Sequence, residues 1–329
     1  MKAFTNANPK TVAQALTLIR DAKTAGRTVA IAGGGSDMLG MMKERLTTPD
    51  VLVRLKAIGG LDQVKEDKSG LTIGGQITLD ALVRHDLIQR NYRVLAEAAQ
   101  DVATPQIRNV ATLAGNVCQR PWCWYFRNGF KRFKAGGNTC YSANGENEFH
   151  AIFGGGPSYI VHPSDTAPAL VALDATFTIA GPSGKRLVKA ADFFTLPTVN
   201  AARENVLADG EILESVKIPS AHAPLRSAYR KVMDREAWTH AVVSVAAVVD
   251  RDGDHRVRRA RIVLGGVAPI PWRVPEVEQW LEGKTITPEL AAEAGERAVA
   301  GARPLAKNGY KVPLTRNLVA RTIVELGHV

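Results

Sequence analysis

A run of small residues near the N-terminus could bind a phosphate. Gly33, Gly34, Gly35 and Ser36 lie between a predicted strand and a helix-like segment. Glycines let the backbone approach a phosphate closely, and the start of the next helix offers unpaired N–H groups. Met38 stands where a Gly-x-Gly-x-x-Gly fingerprint has its third glycine, and no lysine follows as in a P-loop. The loop therefore predicts either a phosphate site or a plain tight turn.

Two other loops carry polar groups that could face the same ligand. Residues 111–116 combine small side chains with the hydrogen-bonding groups of Thr112 and Asn116. Residues 162–168 follow a predicted strand and contain Asp165, which could accept a hydrogen bond from a ribose hydroxyl or cap the next helix. Each loop taken alone is more typical of an ordinary turn than of a binding site.

The cysteines are a further candidate for chemistry. Cys118, Cys123 and Cys140 fall within one short segment, and the sequence has no other cysteine. An odd and sparse set argues against the disulfide framework of a small secreted protein. Their clustering therefore needs another explanation, such as a metal site.

The length and composition predict an ordinary globular protein of two domains. The chain has 329 residues, of which 45% are hydrophobic and 22% are charged, and domains average ~150 residues. The longest apolar stretch, 241–249, is far shorter than the ~20 residues of a membrane-spanning helix. The N-terminus also lacks the apolar core of a signal peptide. We therefore expect no membrane insertion.

The net charge of +10 favours anionic partners or simply a solvated basic surface. The densest basic cluster, at residues 256–261, alternates arginines with apolar residues as in a half-buried strand. A nucleic-acid-binding protein would cluster its basic residues on one helix or interleave them with exposed aromatics. We therefore expect no nucleic-acid partner.

The elements that would position these loops follow from hydrophobic periodicity and turn residues. We expect an α+β protein in which a linker at 219–224 separates a larger first domain from a small antiparallel sheet with helices. The sequence predicts helices at about 9–25, 38–44, 78–87, 92–100, 287–300 and 315–326, strands at 28–31, 51–55, 71–73, 159–161, 175–180, 211–218, 241–249 and 256–264, and a loop at 105–116.

Several short motifs, in their order and spacing, resemble the FAD-binding subunit of the xanthine dehydrogenase, carbon monoxide dehydrogenase and aldehyde oxidoreductase family of molybdenum hydroxylases. The resemblance extends over nearly the whole chain. The motifs are Met1–Phe4, Gly33–Leu39 with Met42–Lys43, Gln106–Asn109, Ala114–Asn116, His162–Asp165, Gly265–Pro269 and Lys307–Pro313.

The resemblance implies a fold with defined parts. Residues 1–221 would form a two-part FAD-binding domain of the vanillyl-alcohol-oxidase/PCMH type, with subdomains at about 1–57 and 58–221 and a cysteine-containing insert at 118–140. Residues 225–329 would form a small α+β domain like the C-terminal domain of carbon monoxide dehydrogenase flavoproteins.

The resemblance also implies which residues bind FAD, while no catalytic residue is expected. Two loops would contact the pyrophosphate, Asp165 would contact the ribityl or ribose part, and Ile212 and Leu213 would lie near the isoalloxazine ring. The role of His240 is left open, because a lone histidine before a strand is more often structural. The pyrophosphate loops are Ala32, Gly33, Gly34, Gly35, Ser36, Asp37 and Met38, and Thr112, Gly115 and Asn116.

The cysteine segment resembles an inserted loop found in aldehyde oxidoreductase flavoprotein subunits and in 4-hydroxybenzoyl-CoA reductase. Such loops can carry a four-iron four-sulfur cluster on four cysteines. This chain departs from that pattern, because residues 130–134 contain no cysteine and Ser158 stands where some relatives have another. Two alternatives stay open: a cluster on Cys118, Cys123 and Cys140, or a degenerate loop with free thiols.

By resemblance, the function is electron transfer. Substrate would be oxidised at a molybdopterin-containing large subunit, and electrons would pass through a 2Fe-2S subunit to FAD on this chain and then to an external acceptor. A stand-alone flavin-dependent oxidase is the alternative. The compartment would be the cytoplasm, or the periplasm if a partner carries a twin-arginine signal.

Overall fold

A computed structural model describes residues 1–220, 225–237 and 239–328. The predicted linker at 219–224 lies mostly outside these residues, because only Pro219 and Ser220 are described. The strands are β1 (Thr5–Ala7), β2 (Val29–Ala32), β3 (Val51–Arg54), β4 (Val64–Asp67), β5 (Gly70–Gly74), β6 (Thr176–Gly181), β7 (Gly184–Lys189), β8 (Ile212–Pro219), β9 (Arg226–Val232), β10 (Val243–Arg251), β11 (Val257–Gly265) and β12 (Trp272–Arg273).

The helices include several that are only one or two turns long. They are α1 (Val12–Thr24), α2 (Met38–Lys43), α3 (Leu79–Arg84), α4 (Asp86–Asn91), α5 (Arg93–Gln100), α6 (Pro105–Arg108), α7 (Leu113–Val117), α8 (Trp124–Arg127), α9 (Thr166–Ala172), α10 (Ala190–Phe193), α11 (Pro275–Leu281), α12 (Pro288–Val299) and α13 (Lys311–His328). No helix in these described ranges is long and apolar enough to cross a membrane.

The N-terminal unit is a small parallel sheet with strand order β1-β3-β2. Thr11 caps α1 by accepting a hydrogen bond from the N–H of Gln14. The apolar stripe of α1, which includes Ala15 and Ile19, packs in one core with Val51 and Val53 of β3. This packing fixes the end of β2, and the glycine loop begins directly after that strand.

The second unit is an antiparallel sheet with strand order β4-β5-β8-β6-β7. Its main core contains side chains from β5, β6 and β8 and from the helices α3, α5, α7 and α9. Helices α7 and α9 therefore sit on the same core, which sets the relative positions of the two loops that precede them.

The C-terminal unit is an antiparallel sheet with strand order β12-β11-β10-β9, covered by α11, α12 and α13. Strand β10 is buried on both faces: Val245 and Ala247 belong to the core under these helices, whereas Ala246 and Val248 belong to the core of the second unit. A strand buried on both faces needs a continuous apolar run, which explains the sequence of residues 241–249.

Several predicted elements need correction. The predicted loop at 105–116 contains α6 and α7, whose first turns are capped by Thr104 and Thr112. Residues 159–161 form no strand, although the sequence predicts one there. The N–H of Ile160 donates locally to the carbonyl of Ser158, and the N–H of His162 donates to the carbonyl of Ala268. The edge strands β1, β4, β7, β9 and β12 and helix α11 are absent from the sequence-based prediction.

Candidate functional site

The glycine loop between β2 and α2 forms one wall of a cleft of about 760 Å³. All the residues from Ala32 to Met38, which the resemblance assigns to the FAD pyrophosphate, line this cleft. Thr112 and Gly115 line it from the second small-residue loop, and residues 202–205 and 207–211 line it from the segment before β8. The structure therefore brings the two predicted small-residue loops to one cavity.

The backbone of the glycine loop is free to donate hydrogen bonds. Within the described part of the chain, no N–H group from Gly33 to Asp37 donates to a protein acceptor. Buried or cleft-facing N–H groups are normally paired with protein, solvent or ligand. A row of such donors before a helix suits an anion such as a diphosphate.

The glycines are also required by the close approach of the second loop. A Cβ atom built on Gly34 would lie 2.5 Å from the carbonyl carbon of Val110 and 3.0 Å from the Cα of Ala111. A Cβ on Gly33 would overlap the Oγ1 of Thr112 and lie 3.0 Å from the Oε1 of Gln76. Non-bonded carbons normally approach to ~3.5 Å, so only glycine fits at these two positions.

The second loop uses its polar groups for its own structure. Thr112 accepts a hydrogen bond from the N–H of Gly115 at 3.2 Å and thereby caps α7. The Oδ1 of Asn116 accepts from the hydroxyls of Ser164 at 2.6 Å and Thr166 at 2.7 Å. These residues shape the wall of the site and tie it to the loop that precedes α9.

A second cleft, of about 810 Å³, adjoins the first and shares Ser36, Asp37 and Gly115 with it. Asn116 and Asp165 line this second cleft. The two clefts together form an extended space, which is the shape that an elongated dinucleotide requires.

Asp165 is held by a buried polar network rather than by a helix cap. Its carboxylate accepts a hydrogen bond from the hydroxyl of Tyr229 at 2.6 Å and pairs with the Nζ of Lys231 at 2.9 Å. It makes no side-chain cap bond to α9, so the capping role considered from the sequence is not observed. Burial, together with the Asp165 carboxylate, raises the pKa of Tyr229 well above its usual value.

Ile212 and Leu213 lie outside the two clefts. Their side chains are buried in two different cores, one with α1 and β3 and the other with α5 and α9. Neither residue lines the clefts formed by the described residues. Consecutive residues of a strand point to opposite faces of the sheet, which explains why two apolar neighbours serve two cores.

Sequence reasoning missed the charged residues of the first cleft. Arg120 pairs with Glu204 at 3.0 Å, and the Nζ of Lys134 lies 3.6 Å from the same carboxylate. Burial lowers the pKa of Lys134 to about 8, and the nearby Glu204 opposes that shift. These residues are far apart in sequence, so no local motif signals them.

Gln76 was also missed. Its side chain is buried, and its Oε1 has no hydrogen-bond partner in the described structure. It lies beside Gly33 at the base of the glycine loop. A buried polar atom without a partner is costly unless a ligand or solvent satisfies it.

His240 lines the second cleft, and its ring lies 5.0 Å from the ring of Trp122. Burial lowers the pKa of His240, while the charge of Asp165 acts in the opposite direction. The neutral ring therefore serves as packing for the insert, in keeping with a structural role.

These features fit FAD. The unpaired donors at Gly33–Asp37 suit the diphosphate, and the two adjoining clefts offer an extended space for the rest of the molecule. The residues of this chain would hold the cofactor mainly through backbone groups, which explains why the sequence motif is rich in small residues rather than charged ones.

The sequence leaves open a cluster on three thiols or a degenerate loop with free thiols, and the described structure does not bring the three cysteines together as metal ligands. Cys123 and Cys140 both contact the guanidinium of Arg132, whereas Cys118 packs against the core of the second unit and lines the first cleft. In the described ranges, no three His, Cys, Asp or Glu side chains are grouped as metal ligands. Burial raises the pKa of Cys118 to about 12, so this thiol is protonated.

The aromatic residues of the insert are connected through shared neighbours. Phe126 is buried with Cys123 and Ile160, and Tyr125 packs against this group while its ring also contacts those of Phe130 and Tyr141. The ring of Trp124 lies against those of Phe149 and His150, and Trp122 is about half exposed beside His240. Asp37 joins the insert to the glycine loop, because it pairs with Arg127 at 2.8 Å.

Comparison with protein families gives two matches that together extend over most of the chain. Residues 2–221 match the FAD-binding domain in molybdopterin dehydrogenase. Residues 227–326 match the carbon monoxide dehydrogenase flavoprotein C-terminal domain.

Individual relatives agree with these matches. The chain is 34% identical to the aldehyde oxidoreductase FAD-binding subunit PaoB of Escherichia coli, over 99% of this chain and 98% of that protein. It is 27% identical to the carbon monoxide dehydrogenase medium chain of Hydrogenophaga pseudoflava, over 96% and 94%. A solved structure of carbon monoxide dehydrogenase from the same organism superposes with a TM-score of 0.76 at 24% identity, covering 98% of this chain and 96% of that one, and shows the same fold.

Proposed function

The chain belongs to the family of FAD-binding subunits of molybdopterin dehydrogenases, and we propose that it carries electrons from partner subunits through FAD to an external acceptor. The observation that carries the proposal is the glycine loop inside the matched FAD-binding domain, because the residues Gly33–Asp37 line a cleft and their N–H groups donate to no acceptor in the described part of the chain. When bound, FAD supplies a group that accepts electrons from iron–sulfur centres and passes them to another acceptor.

We assign the diphosphate of FAD to the loop Gly33–Asp37, with Ala32, Met38, Thr112 and Gly115 as the surrounding wall. Asn116 and Asp165 line the adjoining cleft, where Asp165 can accept a hydrogen bond from a ribityl or ribose hydroxyl. The placement of Ile212 and Leu213 near the isoalloxazine ring, which the resemblance implies, stays a prediction without support from the clefts, because neither residue lines them and both side chains are buried in cores.

The chain's own residues bind and orient the cofactor and do not carry out acid–base chemistry on a substrate. The ionisable residues that line the clefts include ion pairs, such as Arg120 with Glu204 and Lys231 with Asp165 behind the second cleft. Such pairs fix the walls of the site. Rigid walls position a cofactor, which is what electron transfer through FAD requires of the protein.

The partners that we propose are a 2Fe-2S subunit and a molybdopterin-binding large subunit. Support comes from the names of the relatives, several of which are medium chains of multi-subunit dehydrogenases. We further propose an aldehyde as the substrate class of the assembled enzyme, because identity to the FAD subunit of an aldehyde oxidoreductase, at 34%, exceeds the 27% to a carbon monoxide dehydrogenase chain.

For the compartment, we propose that the chain shares the location of its molybdopterin partner. That location would be the cytoplasm, or the periplasm if the partner carries a twin-arginine signal. Cell fractionation with an antibody to the chain, with and without the partner gene, tests this proposal.

Affinity purification of the tagged chain from its native host tests the assembly. We expect the two partner subunits to co-purify, FAD to be present in equal amount to the chain, and the complex to reduce an artificial acceptor with aldehydes but not with purines or carbon monoxide. Recovery of the chain alone with its own substrate turnover would instead support a stand-alone flavin-dependent oxidase.

A further inference from the structure

The insert encloses a buried arginine that lies among sulfur and hydroxyl groups. The side chain of Arg132 is fully buried. Its Nη1 donates to the Sγ of Cys123, and its Nη2 lies 3.5 Å from the Sγ of Cys140 and 3.0 Å from the Oγ of Ser158. Three side chains from three segments of the chain therefore surround one guanidinium.

No carboxylate balances this guanidinium. In the part of the chain that the structure describes, Arg132 forms no ion pair, and its charge lowers the pKa of its basic neighbours Lys134 and His150. An arginine stays protonated in proteins, and burying an unpaired charge is unfavourable. The buried guanidinium therefore relies on the two sulfur atoms and the serine hydroxyl as its hydrogen-bond acceptors.

His150 completes the surroundings without supplying a counter-charge. Its Nε2 lies 3.2 Å from the Sγ of Cys123. An imidazole ring is either neutral or positively charged, so His150 cannot balance the charge of the guanidinium. The thiols of Cys123 and Cys140 are thus the main polar partners of the guanidinium.

The four residues include the two positions at which the insert departs from a four-cysteine pattern. Segment 130–134 has no cysteine but supplies Arg132, and Ser158 stands at the other position. The structure brings both to Cys123 and Cys140, whereas Cys118 is not part of the group. A guanidinium has no lone pair with which to bind iron, and it occupies the space between the two thiols.

We propose that Cys123, Arg132, Cys140 and Ser158 form a metal-free site that replaces an iron–sulfur cluster in this chain. The guanidinium holds the insert together by hydrogen bonds in place of iron–sulfur bonds, and FAD is the only redox group of the chain. Electrons from the partner subunits then reach FAD without passing through a second redox group on this subunit.

The direct test is iron analysis of the full chain, expressed alone, purified without oxygen and then incubated with iron and sulfide. We expect FAD but no bound iron in the wild-type chain. The double variant Arg132→Cys, Ser158→Cys restores four thiols around the same centre, and we expect it to bind about four irons per chain with broad visible absorbance. FAD content in the same samples reports separately on folding and on the proposed flavin function.

Two matched controls identify the ligands. Adding Cys118→Ser to the double variant should leave its iron content unchanged, because Cys118 lies apart from the group. Adding Cys140→Ser should abolish iron binding. Bound iron in the wild-type chain, loss of iron on changing Cys118, or a double variant that keeps FAD but binds no iron would each overturn the proposal. If the double variant does not fold, the wild-type iron content still decides, because FAD-loaded protein without iron supports the proposal and bound iron overturns it.

Discussion

Substitution of Gly34 by alanine is the sharpest perturbation of the FAD site. The added Cβ would lie 2.5 Å from the carbonyl carbon of Val110 and 3.0 Å from the Cα of Ala111. The carbonyl oxygen of Val110 would lie closer still. Because carbon atoms normally stay ~3.5 Å apart, the glycine loop and the loop before α7 must separate by more than about 1 Å. These neighbouring atoms belong to the backbone, so no side-chain rotation relieves the overlap.

The cost can be placed within a range. Overpacking of a close contact typically costs about 1–3 kcal/mol. If this cost appears in the FAD-bound state, where the two loops must keep their spacing, the dissociation constant of FAD rises by about 5- to 150-fold, since each 1.4 kcal/mol is tenfold. Any strain that the added Cβ causes equally in the FAD-free protein does not change the FAD affinity. That strain lowers the melting temperature instead.

The assay is titration of FAD into the FAD-free chain, followed by flavin fluorescence, together with thermal unfolding of both forms. Gly59→Ala is the matched control, because a Cβ on Gly59 meets no atom within 4 Å and Gly59 lines neither cleft. We expect wild-type affinity for the control and weakened binding for Gly34→Ala. Equal FAD affinity in the two variants would refute the assignment of the diphosphate to this loop.

Three further predictions concern stability. Burial lowers the pKa of His162 from 6.5 to about 3, so the unfolded chain binds the proton first, and His162 should lower the free energy of unfolding below pH 6.5 by about 1.4 kcal/mol per unit. In urea titrations, His162→Gln should remove this contribution and leave that of His150, whose pKa is lowered to about 3 as well; the exposed His255→Asn should leave the slope unchanged. Asp165→Asn leaves the buried Lys231 without its carboxylate and should cost about 3–5 kcal/mol; an unchanged urea midpoint would contradict this. Burial lowers the pKa of Lys311 to about 7 from 10.5, so stability should rise with pH between these values; a wild-type pH slope retained in Lys311→Met would show that another group is responsible.

Much of the first cleft could be predicted from the sequence because its signals are local. The periodicity of α1 and the glycines after β2 identify a helix, a strand and a close backbone approach without knowledge of the rest of the chain. The sequence predicts a loop where the short helix α7 lies, although Thr112 is a typical N-cap. The helix is too short for its apolar residues to show a helical periodicity.

The polar networks could not be predicted, because they join distant segments. Asp165 pairs with Lys231 across a domain contact, and Arg132 meets Ser158 through the folding of the insert. In the sequence, each of these residues is of a type that usually lies at the protein surface. Only the packing of β9 against the second unit, and of the insert on itself, makes them buried and paired.

The most direct test of electron transfer is reduction of the FAD on this chain by substrate in the absence of oxygen. Flavin absorbance should be followed after an aldehyde is added to the assembled complex and, in parallel, to the FAD-loaded chain alone. We predict rapid bleaching in the complex and none in the chain alone, with bleaching of the chain restored by adding back the partner subunits. Bleaching of the isolated chain by the aldehyde, or an FAD that stays oxidised in an active complex, would contradict the account.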